Sequence, residues 1–233
     1  MRDALHEEKY KGGLTIKIYQ DEDARSPDED GDDGLFLVGY HRDFFVDRKK
    51  TRYNKETGRH ETIDPGINQG FAQVIANNAR YEDGSICEEA REYIKKYHIF
   101  GFEAYIHSGV RLALSYEGNF CDRQWDVSQL GLVFVSKKEW RLKKSARKAA
   151  LGLIESWNDY LDGNVYGYVV EGPDGEHLDS CWGFSGDYDK WALPEGRSMA
   201  EYHYKEILKK KAEKTKAYIK NHVPLEKREA VTV

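Results

Sequence analysis

No apolar run in the 233 residues reaches the length of about 18 that a membrane-spanning helix needs, so none is expected. The first thirteen residues are charged and lack an apolar signal core, so secretion is not expected. Cysteine is scarce. Cys87, Cys121 and Cys181 are an odd number without framework spacing, which predicts a reducing, cytoplasmic setting. The five prolines are scattered and supply no linker. No CxxC, HxxxH or HExxH occurs, so no zinc site and no other metal is expected. GxGxxG and Walker loops are also missing, which removes support for nucleotide-phosphate chemistry, and no cofactor is expected.

What is present is aromatic and charged. Tyrosine (16), phenylalanine (9) and tryptophan (5) can supply a core in a chain that is 33% charged, which excludes wholesale disorder. The net charge of -5 is unevenly placed. From Gln20 to Gly34 there are eight carboxylates and one arginine; from Ser198 to Glu229 there are nine Lys/Arg and five Glu. The chain is bipolar, acidic near its start and basic near its end.

Period and punctuation predict the elements. Leu14–Tyr19 alternates as a half-buried strand does, and Leu35–Tyr40 reads as a buried one. Residues 47–64 are densely charged around a Lys55-Glu56-Thr57-Gly58 turn and predict an exposed excursion. Ser85 and Glu88 form a capping box before a helix over about 86–97. Phe102–Ile106, Val110–Leu114 and Gly131–Val135 read as strands. Ser136 and Glu139 repeat the capping box, and Trp140, Ala146, Ala150, Leu153, Ile154, Trp157 and Leu161 recur at helical spacing, which predicts a helix over 137–161. Val165–Glu171 and His177–Phe184 flank a Gly172–Gly175 turn. A final helix is expected from about Ser198 to Asn221, with Met199, Tyr202, Ile207, Leu208, Ala212, Tyr218 and Ile219 roughly on one face. Together these predict a single α+β domain, residues 1–195, with a mainly antiparallel sheet, packed helices, an acidic loop at 20–34 and a basic helical tail over 196–233.

Four stretches occur in a telling order: Ile18–Asp23 with Ser26-Pro27; Tyr105–Gly109; Trp125–Gly131; and Tyr160–Tyr168 with Asp179–Phe184. Over residues 14–188 the chain resembles a family of uncharacterised proteins carried by tailed bacteriophages and mobile elements of bacteria. Gly31–Leu35 stands where the family pattern has a Trp-Asp-Asn-Leu-Gly stretch, and the basic tail lies outside it. The resemblance implies provenance and carries no chemistry.

Each candidate site has an ordinary structural reading beside it. The carboxylates Asp28, Asp30, Asp32 and Asp33 invite comparison with a calcium loop, but counting from Asp28 the sixth residue is Asp33 and the twelfth Gly39, where an EF-hand needs Gly and Glu. Three readings remain: a looser oxygen-rich cation site, a phosphate-like surface offered to a nucleic-acid-binding partner, and, as the ordinary one, a solvated loop. Cys181, His107 and Asp126 are the residue types of a thiol hydrolase, and His107 with Asp126 could be a base and its orienter. Gln129 and Asp179 complete the catalytic candidates. The ordinary readings are a buried cysteine beside a core tryptophan, and an aspartate closing its own loop. The basic tail, with Lys209, Lys210, Lys211 and Lys214, could meet nucleic acid or simply be the wet face of a helix.

With no catalytic signature and many tyrosines, the first expectation is a binding protein. It would be a phage or mobile-element accessory factor that masks a host protein in the host cytoplasm, plausibly as an anti-defence inhibitor of the anti-CRISPR or anti-restriction type. A small hydrolase or nucleotide-modifying enzyme built from His107, Asp126, Gln129, Asp179 and Cys181 is the second expectation, and nucleic-acid binding through the tail the third. The apolar stripe of the tail helix is expected to dock either on the domain itself or on a second copy, the latter giving a homodimer.

Overall fold

The computed structural model describes residues 3–27, 34–39, 50–54, 59–64, 69–81, 88–107, 109–121, 123–224 and 226. In chain order the elements are β1 (His6–Lys9), a 3-10 turn (Lys11–Gly13), β2 (Thr15–Gln20), β3 (Leu35–Gly39), β4 (Lys50–Asn54), β5 (Arg59–Asp64), α1 (Gln69–Tyr81), α2 (Glu88–Lys96), β6 (Tyr97–Ile106), β7 (Val110–Leu114), α3 (Arg123–Asp126), β8 (Val127–Ser136), α4 (Lys143–Leu161), β9 (Val165–Glu171), β10 (His177–Ser185) and α5 (Ala192–His222). The class is α+β with antiparallel sheets throughout the described residues, as the turn-linked strands predict.

The chain forms two compact units. The first joins residues 1–24 to 163–233, and the second is the intervening 25–162. The second is therefore an insertion between two strands, β2 and β9, that pair with each other.

In the first unit the sheet order is β1-β2-β9-β10. Alternation in β2 sends Ile16 and Ile18 to one face, where with Leu14, Tyr168 and Val170 they pack against Ala192, Leu193 and Ala200 of α5. Gly196 lets α5 approach: a Cβ there would stand 3.0 Å from Ile16 and 3.2 Å from Tyr168. Two ion pairs tie the helix to the N-terminal strand and turn, Arg197 to Glu8 at 2.6 Å and Lys11 to Glu201 at 3.0 Å.

In the second unit the sheet order is β3-β8-β6-β7. Both of its faces are covered. Leu37, Phe102, Ala104, Leu130, Val133 and Val135 face Ala146, Ala150, Leu153, Ile154 and Trp157 of α4. Phe36, Val38, Leu132 and Phe134 face Ala72 and Ile75 of α1 and Ala90 of α2. The free edge of β7 is closed by one side chain. Asn158 of α4 accepts from the Leu112 N–H at 2.7 Å and donates to the Leu112 carbonyl at 3.0 Å. A buried amide thus occupies the groups another strand would use. β4 and β5 pair as a separate two-stranded ribbon within the stretch expected to be an excursion.

Several expectations are corrected. The helix expected over 137–161 begins at Lys143, because residues 137–139 form a turn in which the Ser136 hydroxyl accepts from the Lys138 N–H at 3.2 Å. Ser136 therefore caps a turn. The last helix begins at Ala192, six residues before Ser198, so the expected division at 195/196 falls inside it. Its docked face is Leu193, Gly196, Met199, Ala200, Tyr204 and Ile207, while Tyr202, Leu208 and Tyr218 are exposed. β1 and α1 are not expected from the sequence, and β6 and β8 are longer than the apolar runs within them. The acidic-loop residues Asp28, Asp30, Asp32 and Asp33, the 55–58 turn and the Ser85 cap lie outside the described residues. No described helix is long and apolar enough to cross a membrane.

Candidate functional site

The polar candidates divide between the units. His107, Asp126 and Gln129 belong to the second, Asp179 and Cys181 to the first.

In the first unit Asp179 opposes Val170 in the β9–β10 register, so it shares the helix-facing side and meets His203 of α5, Oδ2 to Nε2, at 3.3 Å. Tyr168 is buried on the same side. Burial first, then the negative charges of Asp179, Cys181 and Glu195, push its phenol up to about 12. Cys181 is exposed and so is Trp182, 46%, which overturns the buried cysteine beside a core tryptophan. Alternation from Cys181, which opposes Tyr168, puts Trp182 on the face away from the helix; Trp182 and Gly183 then form a bulge, with Gly183 at φ +87°, that returns Phe184 to the helix-facing side opposite Tyr166. A Cβ on Gly167 would stand 2.2 Å from the Trp182 ring.

The denser constellation is in the second unit, around a residue that alternation alone places on the wet side of β6. Glu103 is 1% exposed. Its Oε2 accepts from Arg123 Nη2 at 2.7 Å, from the Tyr116 backbone N–H at 3.1 Å and, at the limit of contact, from Gln129 Nε2 at 3.5 Å. The Ser115 hydroxyl donates to Gln129 Oε1 at 2.7 Å and fixes that amide. Glu103 Oε1 is buried and has no hydrogen-bond partner among the described residues. A second bulge makes the arrangement. Phe102 opposes Gly131 and Glu103 opposes Gln129, so Leu130 is the extra residue on β8; it turns into the apolar core while Gln129 comes beside Glu103. Gly101 leaves room, since a Cβ there would stand 2.6 Å from the Ser115 hydroxyl.

Glu103 organises the surface above it. A buried carboxylate must be compensated, and Arg123 supplies the charge while its Nη1 donates to the Gly118 carbonyl at 2.7 Å. The loop from Ser115 to Cys121 is thereby pinned to the first residue of α3. Tyr116 is held at φ +67°, the only described non-glycine residue with positive φ, and its ring stands 74% exposed. Two residues after Arg123, Trp125 is 81% exposed. Phe120 stacks on Tyr105 at 5.7 Å.

His107 and Asp126 come near one another at 4.0 Å, beyond hydrogen-bond reach, and the imidazole is largely exposed. The pair lacks the contact by which a carboxylate orients a base. Glu103 and Arg123 are the residues sequence reasoning missed. A lone Glu inside Phe102–Ile106 reads as the solvent side of a strand, and only the loop at Tyr116 and Arg123 of α3, folded over it, show that it is buried. Among the described residues no group of three or more His, Cys, Asp or Glu could hold a metal ion.

Comparison of the chain with family models, with curated proteins and with solved structures found no match.

Proposed function

We propose that the chain is a phage or mobile-element accessory protein that binds a host protein in the host cytoplasm and modulates it, as an anti-defence inhibitor would. One observation carries the binding step: Tyr116 and Trp125, 74% and 81% exposed, precede and follow in the chain Arg123, which a buried carboxylate holds in place as it holds the Tyr116 backbone. Tryptophan, tyrosine and arginine dominate protein interfaces: the two rings remove a large area from water at low cost in side-chain entropy, and arginine, costly to order when free, is here already held by Glu103. Pinning by Glu103 lowers that cost further, since the loop is ordered before a partner arrives. The motif resemblance over residues 14–188 supports the provenance in this reading, and the anti-defence role rests on analogy with what accessory genes of such elements commonly do.

The test is retention of a host protein from bacterial lysate by the immobilised chain, repeated with Trp125→Ala and Tyr116→Ala together. A protein held by the wild type and lost with the double variant, at an unchanged melting temperature, supports the reading. Retention indifferent to both substitutions removes this surface from it.

A further inference from the structure

We propose that the distal half of α5, from Lys205 to Lys220, is a binding surface for the phosphate backbone of a nucleic acid. It lies in the first unit, and it stands or falls separately from the Trp125 surface.

The helix changes character along its length. Up to Ile207 one side carries Leu193, Gly196, Ala200, Tyr204 and Ile207 onto the sheet. Continued at about 100° per residue, that same side reaches Lys211, Lys214 and Tyr218. All three are exposed, as is every residue from Leu208 to His222 except the half-buried Ile219. The apolar residues of the distal turns do not dock as the proximal ones do: Leu208 and Tyr218 are 46% and 62% exposed. The distal turns persist as helix through local means: lysine, alanine and glutamate favour it, and Tyr218 stacks on His222 one turn later at 4.4 Å.

What these turns present is positive charge. Residues 205–222 hold seven lysines against Glu206 and Glu213, a net of +5 in a chain whose net is -5. Among the described residues Lys209, Lys210, Lys211, Lys214 and Lys216 enter no ion pair, whereas Lys205 meets Glu201 at 3.8 Å. Lys205, Lys209, Lys216 and Lys220 fall within about 60° of arc along about 22 Å of helix. A straight row of cations at steps of about 6 and 10 Å suits a linear, regularly charged polymer better than the irregular carboxylates of a protein surface. Lysine meets phosphate as a point charge. From Lys205 to Lys220 the helix carries no Arg, Asn or Gln to read base edges, so binding is indifferent to sequence.

The experiment uses the full chain with fluorescein-labelled 20-base-pair DNA and 20-nucleotide RNA, followed by anisotropy between 50 and 200 mM salt. Four phosphate contacts predict a logarithmic salt slope of about −3.6 on duplex DNA, a loss of about 100-fold in affinity over that range. Lys209→Gln, Lys216→Gln and Lys220→Gln together should flatten the slope by about 2.7 and leave the melting temperature unchanged, because all three side chains are in water. No binding at 50 mM salt overturns the proposal. So does equal binding by the triple variant, a polyglutamate probe that binds more tightly than either nucleic acid, or salt-sensitive self-association by light scattering in place of nucleic-acid binding.

Discussion

The carboxylate of Glu103, 1% exposed, meets the guanidinium of Arg123 at 2.7 Å and so ties a buried position on β6 to the surface beside Trp125. Removing the cation alone strands a buried charge, which is the costly way to break such a pair. Arg123→Ala should therefore cost about 2–3 kcal/mol, at the low end for buried pairs because the arginine is itself partly exposed. Glu103→Gln removes the charge and keeps the shape and the acceptor for Tyr116. The double variant Glu103→Gln, Arg123→Ala should then melt above Arg123→Ala alone, which denaturant titration of the four proteins measures. A double variant no more stable than the single would show that lost packing, and no stranded charge, sets the cost.

Tyr116 sits at φ +67° with its ring 74% exposed, so its backbone is strained. Tyr116→Gly should be neutral or raise stability by up to about 1 kcal/mol, because glycine adopts this conformation freely. Tyr116→Val should cost more than Tyr116→Ala, since branching at Cβ makes positive φ worse. If the function proposed above is right, Tyr116→Gly keeps or improves the melt yet weakens partner retention. A residue that stabilises when removed but binds when present separates interface from scaffold.

Much of the frame was legible in the sequence. Strands β3, β7 and β9 and the two last helices follow from period and turn chemistry, because each buries one face at a regular spacing. The site was less so. Gln129, Asp126 and His107 fall in the same region as Glu103, but the bulge at Leu130 that brings Gln129 to it leaves no local signature. Burial of Glu103 depends on the loop at Tyr116 and on Arg123 folding back over it, contacts that β6's own residues do not announce. Trp182 failed for the same reason: strict alternation puts it with Phe184, and two bulge residues against Gly167 reverse that. On α5 the helical period was right, but the docked face had to be chosen among Tyr202, Leu208 and Tyr218 on one hand and Tyr204, Ile207 and Gly196 on the other. Gly196 decides it, since close approach to Ile16 and Tyr168 is possible only there.

The phenol of Tyr168 gives the first unit an alkaline limit. Its folded value is raised from the ordinary 10 to about 12, so the folded state holds the proton more tightly than the unfolded chain. The stabilisation linked to it is complete below pH about 10 and is lost as pH rises through about 12. About 2–3 kcal/mol should disappear across that window. Tyr168→Phe keeps the ring in the core and removes the titration. Urea midpoints at pH 9 and pH 11.5 should differ less in the variant than in the wild type; equal differences would mean that other groups govern the alkaline limb.

The length of α5 makes a sharper test of where the first unit ends. Met199, Ala200, Tyr204 and Ile207 pack on Leu14, Ile16, Ile18, Tyr168 and Val170, so a chain ending before Ser198 loses one wall of its core. Removing Ala200 and the half-buried Met199, Tyr204 and Ile207, at about 1 kcal/mol each or more, also uncovers Ile16, Ile18 and Val170, and the total is comparable with the whole stability of a small domain. That truncation should leave the first unit unfolded, visible as loss of the β2–β9 amide protection in hydrogen exchange. A chain ending after Leu208 keeps every buried residue of α5 and the ion pairs of Arg197 and Glu201. Its melting temperature should stay within about 2 °C of the full chain, the scale of a few tenths of a kcal/mol. Should the second truncation unfold the unit as the first does, the distal turns must dock on something apolar, and a polyanion surface at Lys209 and Lys216 would lose its basis.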